Sequence, residues 1–348
     1  MASVIQQLPD TPLDIIGDVH GELDALQALL AQLGYTEDGH HPEGRKIVFV
    51  GDLVDRGLDS PGVLAQAKRM ILAGNAFAVL GNHELNILLG KAKDGTGWFF
   101  DARQHESSKF GPFQRCLPEE RAEIVDFLST LPLALVRDDL RIVHAAWSQD
   151  AVEKIAHLES KDLAAAFARW EAEIISEAKD TGLEAAALSE KLTCTLTDKT
   201  KEPPFLPQYA AFNVAKQMGN PIKVLTSGIE RVGREPFWSS GEWRFVERVR
   251  WWDEYEDAAP VIMGHYWRRL VPVDRSAFGK GDPDLFSEVS PQAWHGKHRN
   301  VFCMDYSVGA RWVERGSGHL GQSAFHLGAM RWPEREVVLE NGLRFKPE

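Results

Sequence analysis

The chain has only three cysteines, Cys116, Cys194 and Cys303, widely spaced and without a CxxC pair. That argues against a disulfide framework or a thiolate zinc site and leaves core thiols as the simple reading. Long apolar runs are also missing: no stretch reaches the ~18 residues that span a bilayer. The opening MASVIQQLPDTPLDIIG has neither a basic leader nor an apolar segment of signal length, so a cytoplasmic protein without a membrane partner is expected. Positive charge is in deficit, with 39 Lys and Arg against 51 Asp and Glu and a formal net charge of −12. Such a surface repels a phosphate backbone at long range, so non-specific nucleic-acid binding is not expected. One cleft could still attract phosphate if divalent cations sat in it.

What is present is ordinary globular composition over 348 residues, 44% hydrophobic and 26% charged, enough for one elaborated domain or a core with a subdomain. Leu13 to Ile16 reads as a buried strand, Gly17-Asp18-Val19-His20-Gly21 as the turn leaving it, and Glu22 to Leu33 as a helix with Leu23, Leu26, Leu29, Leu30 and Leu33 on one face. His40 and His41 fall in a polar loop and read as solvated side chains. The pattern recurs as the Lys46 to Val50 strand, the turn GDLVDRG from Gly51 to Gly57, and a helix over 60–73 with Pro61 in its first turn. A third unit runs through Ala76 to Leu80, Gly81-Asn82-His83-Glu84 and a short helix ending near Gly90. Three strand-to-helix turns carrying polar residues mark the sheet edge where ligands bind.

Further on, Pro118 to Leu131 predicts an amphipathic helix, and Leu133 to Val136 with Leu140 to Val143 a hairpin whose second arm ends in His144. Gln149 to Leu192 is rich in Ala, Glu and Lys with helical periodicity and Thr197 to Pro207 reads as a linker, so residues 149–222 form an expected, mainly helical insertion, a possible cap, between core segments 1–148 and 223–348. Within the second segment, Lys223 to Thr226 reads as a strand, Val261 to Met263 as a strand ending in Gly264-His265, and Asn300 to Met304 as one ending in Asp305. A polar loop falls around Gly279 to Pro283, and final strands are expected around Ala324 to Arg331 and Glu336 to Leu339.

The residues collected at strand ends are Asp18, His20, Asp52, Asn82, His144 and His265. A mixed oxygen and nitrogen set without thiolates suits manganese, iron or zinc better than calcium. Six such groups suffice for two metal ions if one carboxylate is shared, and two close cations can clamp both oxygens of a phosphoryl transfer. His83 could give the leaving oxygen its proton if Asp55 holds the imidazole.

GDVHG, GDLVDRG and GNHE in this order, followed by His144 and by Gly264-His265, resemble the phosphoprotein-phosphatase branch of the calcineurin-like metallophosphoesterases. The likeness covers about Leu13 to Trp147 and Arg250 to Leu339 and leaves the insertion unmatched. It implies an α/β fold with a two-sheet β-sandwich core flanked by helices. It also implies two divalent or trivalent metal ions (Mn, Fe or Zn) held by Asp18, His20, Asp52 as the bridge, Asn82, His144 and His265, with attack by a metal-bridging hydroxide. Arg56 would bind phosphate, and His83 with Asp55 would protonate the leaving group. Arg250 and Asp305 are candidate substrate-binding residues. Trp98, Trp147, Trp251, Trp252 and Trp267 are candidates to stack a base, though packing is their commoner use.

The implied function is a phosphomonoesterase of the Ser/Thr protein phosphatase type, acting on a phosphorylated protein or a small phosphate ester. The alternatives are hydrolysis of a dinucleoside polyphosphate such as diadenosine tetraphosphate or of a nucleotide phosphodiester and, from a different class, an inactive binding scaffold. Two departures, Ala145-Ala146-Trp147 after His144 and Tyr266-Trp267 after His265, place bulky residues beside two ligands and alter what can approach.

Overall fold

The structure, a computed structural model, describes residues 3–239, 241–275, 281–318 and 322–348. Residues 279–280 of the expected polar loop, and His319, fall outside these. Eleven α-helices and thirteen strands are present among the described residues. The strands are β1 (Ile5–Gln7), β2 (Leu13–Ile16), β3 (Lys46–Phe49), β4 (Ala76–Ala78), β5 (Ala134–Arg137), β6 (Leu140–Val143), β7 (Glu230–Ser239), β8 (Glu242–Arg248), β9 (Val261–Met263), β10 (Val301–Cys303), β11 (Gly328–Trp332), β12 (Glu336–Leu339) and β13 (Arg344–Phe345).

One sheet runs in the order β13-β12-β11-β2-β3-β4 and the second β1-β5-β6-β9-β10. Leu13, Ile15, Val48 and Val50 of the first share a buried cluster with Leu135, Ile142, Ile262 and Phe302 of the second, so the two sheets face each other across a common core. The opposite-facing Ile16, Ile47 and Phe49 belong to a second cluster with Leu26, Leu29, Val63 and Leu64 of the covering helices. Strands buried on both faces explain why β2 and β3 read as continuous apolar runs rather than alternating ones.

Helix α1 (Leu23–Leu33) buries the predicted leucine face except the half-buried Leu23, and stops at Gly34 in the left-handed region (φ 87°). In α2 (Ser60–Leu72) the Asp59 carboxylate accepts from the Gly62 N–H at 2.8 Å, and Pro61 occupies the first turn. After α3 (Asn82–Leu88) and the single turn α4 (Ser107–Phe110), the helix expected from Pro118 begins as a 3₁₀ turn and becomes α5 (Arg121–Leu128).

The intervening segment forms α6 (Gln149–Ile155), α7 (Leu163–Asp180), α8 (Leu183–Lys191) and α9 (Pro207–Met218). Leu196, Leu206 and Ala210 bury Phe245 of β8 in a small core of their own, so the β7–β8 hairpin packs against this segment. The strand expected at 223–226 is instead α10 (Pro221–Ser227): Asn220 caps it by accepting from Ile222 N–H at 3.1 Å, and Pro221 sets its first φ. Those two start signals outweigh the β-propensity of a short apolar run. A last helix, α11 (Arg311–Ser317), follows β10. His41 is buried, its Nε2 3.0 Å from the Leu33 carbonyl oxygen and its ring against Tyr35, because the loop folds back on the end of α1. No described helix is long and apolar enough to cross a membrane.

A buried charge sits near the start of β2. Asp14 accepts from Arg45 Nε at 2.9 Å, Tyr35 Oη at 2.7 Å and Arg331 Nε at 3.2 Å. Removing the carboxylate strands the buried Arg45 guanidinium beside the remaining Glu334. Asp14→Ala is expected to lower unfolding free energy by about 3 kcal/mol in urea denaturation. A loss below roughly 1 kcal/mol, the range of exposed pairs, would show that Glu334 and the backbone carbonyls satisfy Arg45 without it.

Candidate metal centre and active site

The parallel strands β2, β3 and β4 of one sheet and β6, β9 and β10 of the other deliver their carboxyl ends to one place. Backbone bonds from Val19 and His20 N–H to the Asp52 carbonyl (3.0 and 2.9 Å) and from Gly21 N–H to Leu53 O (2.8 Å) tie the first two turns together. Six non-glycine residues here adopt positive φ: His20 (49°), Asp52 (49°), Asp55 (75°), Arg56 (71°), His265 (73°) and Trp267 (56°). Such conformations are costly for L-residues, and their concentration at one sheet edge points to a site.

Asp52 lies at the centre. Its Oδ2 is 3.7 Å from His20 Nε2 and 3.8 Å from His83 Nε2, and its Oδ1 is 3.3 Å from His144 Nε2. Two buried groups able to hold a metal share this carboxylate: His20, Asp52 and His83, and Asp52, His144 and His265. Asn82 Oδ1 stands 2.9 Å from His265 Nδ1 and 3.3 Å from His144 Nε2. Asp18 Oδ2 lies 3.9 Å from His20 Nε2, and its carboxylate accepts from the His265 backbone N–H at 3.0 and 3.2 Å. The expected six are therefore together, and His83 is as close to Asp52 as His20 is. The far nitrogens are anchored: His20 Nδ1 is 3.0 Å from Val54 O and His144 Nδ1 2.8 Å from Val50 O, which leaves each Nε2 facing the cluster.

Electrostatics point the same way. Burial, with the Asp305 charge next, holds Asp18 well above the usual carboxylate range. Burial opposes ionisation of Asp52 too, but the His144, His83 and His20 imidazoles hold it well below that range. Burial lowers His144, yet Asp52 overrides it and pushes the imidazole up to about 10. His20 is held well below its ordinary value by burial and then by Arg56. Closely set buried carboxylates of this kind call for a cation, and the donor set fits a borderline metal. A Cβ on Gly264 would lie 1.9 Å from Asp18 Oδ1, and one on Gly309 2.4 Å from His20 Cδ2, so both positions need bare backbone beside a ligand.

Arg56 donates to His20 Nε2 at 2.9 Å and His83 Nε2 at 3.0 Å, with its guanidinium 5.6 Å from the Trp267 ring centroid. His83 Nδ1 is 2.5 Å from Asp55 Oδ2, and the other Asp55 oxygen accepts from the Trp98 indole N–H at 2.5 Å. Trp98 thus orients Asp55 from the core. Trp147, Trp251 and Trp252 are also buried, and of the five expected stacking residues only Trp267 lines the cavity above the cluster. That cavity, about 150 Å³, is completed by Phe110, Trp312 and Arg248.

Two candidates do not reach it. Arg250 pairs with Asp253 and Glu288, each at 3.2 Å, and lines a different cleft. The neighbouring Arg248 enters the cavity instead, because β8 ends at Arg248 and the chain turns before Arg250. Asp305 is buried, with one oxygen accepting from Trp267 N–H and the other from Ser307 N–H, both at 2.8 Å. It shapes the loop behind Asp18 rather than facing substrate.

Sequence reasoning gave no role to Glu84. Its carboxylate accepts from the N–H groups of Asp52 (2.9 Å), Leu53 (2.8 Å), Val54 (3.2 Å) and Gly81 (3.0 Å), clasping the GDLVDRG turn to the start of α3. The available signal was its place three residues into a helix with no side-chain cap, where a Glu turns back toward the N-terminus.

Two layered sheets whose strand ends converge on shared aspartate and imidazole ligands define an α/β protein with a candidate dinuclear metal centre. Residues 11–179 match the family model of the calcineurin-like phosphoesterases. An asymmetrical bis(5'-nucleosyl)-tetraphosphatase of Halalkalibacterium halodurans is 47% identical over 73 residues, 20% of this chain and 30% of the relative. A symmetrical bis(5'-nucleosyl)-tetraphosphatase of Janthinobacterium sp. is 35% identical over 133 residues, 37% of this chain and 42% of the relative. The chain thus spans less than half the length of these relatives. Among solved structures, the cold-active protein-tyrosine phosphatase of a psychrophilic Shewanella covers 99% of this chain and 83% of its own at 15% identity and a TM-score of 0.47.

Glu84→Gln sets an amide N–H₂ against backbone N–H groups. The expected loss is about 2 kcal/mol, the cost of leaving buried donors unpaired, read from the urea midpoint. An unchanged midpoint would show that the two turns hold without the clasp.

Proposed function

We propose that the protein is a metal-dependent phosphoesterase, with Asp18, His20, Asp52, Asn82, His144 and His265 as its metal ligands. The observation that carries this is the buried Asp52 carboxylate shared by two imidazole groups, beneath a cavity that an arginine enters. Bound manganese, iron or zinc would acidify water for attack near neutral pH and offset phosphate charge. Arg56, on a turn held in the left-handed region, binds the phosphate oxygens, and Arg248, which lines the same cavity, supports it. As Arg56 swings to phosphate it releases His83 Nε2, which then carries the proton for the leaving oxygen. Asp55 fixes the imidazole through Nδ1, and Trp98 fixes Asp55. Phe110, Trp267, Trp312 and Arg248 of the β7–β8 hairpin wall the cavity and limit which substrate enters.

The names of the relatives favour a dinucleoside polyphosphate as substrate. A phosphomonoester, including phosphoserine or phosphothreonine in a protein, is the second reading, favoured by a cavity of about 150 Å³ that suits a single phosphate group. Metal analysis of the purified chain, followed by turnover of p-nitrophenyl phosphate, a phosphopeptide and diadenosine tetraphosphate with manganese, separates these. Metal bound without turnover of any of them would overturn the enzyme reading in favour of a binding scaffold.

His83→Ala should slow alkyl phosphates by ~10²-fold or more while nearly sparing p-nitrophenyl phosphate, whose leaving group needs no proton. Equal losses on both would remove His83 from the acid role. Trp98→Phe keeps the ring but withdraws the donor from Asp55, and should lower kcat on alkyl phosphates roughly tenfold, about the value of one hydrogen bond to a charged acceptor. An unchanged kcat would mean Asp55 is held by other contacts.

A further inference from the structure

Resting on the phosphoesterase reading, we propose that the cleft between α9 and the β7–β8 hairpin binds the phosphate chain of a substrate extending beyond the scissile group. The cleft holds about 450 Å³ and is joined to the cavity over the metal ligands: Arg248 lines both. The loop after α3 joins them a second time, with Asp94 lining the cavity and the adjacent Lys93 lining the cleft. Arg248 also borders the cleft that Arg250 lines, so it is the Asp94–Lys93 step that directs a chain leaving the cavity into this cleft.

Its lining reverses the charge of the whole molecule. Lys93, Lys216, Lys223, Arg244 and Arg248 lie along it, on a protein of net charge −12. The acids that share the lining are largely engaged. Glu242 pairs with Arg244 at 2.8 Å, and Asp282 with Arg275 at 3.1 Å. Burial raises the half-buried Glu230 above the ordinary carboxylate range. Lys223 is held by Glu171 at 2.7 Å from outside the cleft. Lys93, Lys216 and Arg248 make no ion pair within 4 Å among the described residues; Arg248 has the Tyr266 ring, 5.9 Å from its Cζ, and the charge of Glu230, its cross-strand neighbour on β7. Cations gathered this way repel one another unless an anion lies between them. A phosphate chain suits the geometry: the ammonium groups act as point charges along it, and Arg248 offers a planar fork at the junction.

The test uses the full manganese-loaded chain, with p-nitrophenyl phosphate as reporter and free manganese held equal in every arm. Orthophosphate, tripolyphosphate, diadenosine tetraphosphate and a poly-glutamate peptide serve as competing inhibitors. Tripolyphosphate and the dinucleotide should each inhibit at least about tenfold more tightly than orthophosphate, as extra charge-assisted contacts require. In the double variant Lys93→Ala/Lys216→Ala that advantage should fall about tenfold for both. Reporter kcat/KM and orthophosphate inhibition should stay within about twofold, since neither contact touches a single phosphate. The double variant Lys93→Arg/Lys216→Arg should keep the advantage. An unchanged tripolyphosphate advantage in the alanine variant, a loss confined to the dinucleotide, or poly-glutamate competing as well as tripolyphosphate would each overturn the proposal. Absence of reporter turnover by the unaltered chain would instead sink the phosphoesterase reading beneath it.

Discussion

One carboxylate sets the terms for the architecture. Asp52 is buried and central to two imidazole groups that come from opposite sheets, His20 and His83 on one side and His144 and His265 on the other. A charge so placed is tolerable only if its partners are held within a few tenths of an ångström, because the low local dielectric that strengthens each pairing also magnifies each mismatch. The facing sheets supply that precision. Their shared core of branched aliphatic side chains fixes the distance between the two edges, and the edges carry the ligands.

Behind the candidate ligands lies a layer whose members do not line the cavity. Glu84 gathers four backbone N–H groups from two turns, Trp98 and Asp55 form a relay that ends on His83, and Asp305 braces the loop that follows His265. Positive φ values at His20, Asp52, Asp55, Arg56, His265 and Trp267 show how much of the local backbone is held against its own preference. The compensation comes from these buried hydrogen bonds, which places strain and its support in the same few residues.

Most of the core was legible in sequence because its signals are local. A strand buried on both faces reads as an apolar run, and β2, β3, β6 and β9 lie where such runs end in charged residues. The candidate ligand residues were legible for the same reason, each sitting just past the end of a strand. The misreadings share a different cause. Lys223 to Thr226 is apolar enough for a strand, but Asn220 and Pro221 start a helix there. His41 lies in a polar loop, yet the loop folds back onto α1. Arg250 and Arg248 differ by two positions, and only the end of β8 decides which one enters the cavity.

By itself the sequence determined where the candidate ligands fall, since GDVHG, GDLVDRG and GNHE place each at a fixed offset from a strand, and offsets within one turn survive without knowledge of the remaining chain. Only the tertiary structure decided what surrounds those residues: that Trp98 serves Asp55, that Asp305 binds backbone N–H groups outside the cavity, and that the β7–β8 hairpin brings Arg248 to the cavity beside a basic cleft. These are long-range outcomes. They depend on how elements far apart in sequence pack, and the side chains involved carry no local signature of the neighbours they will meet.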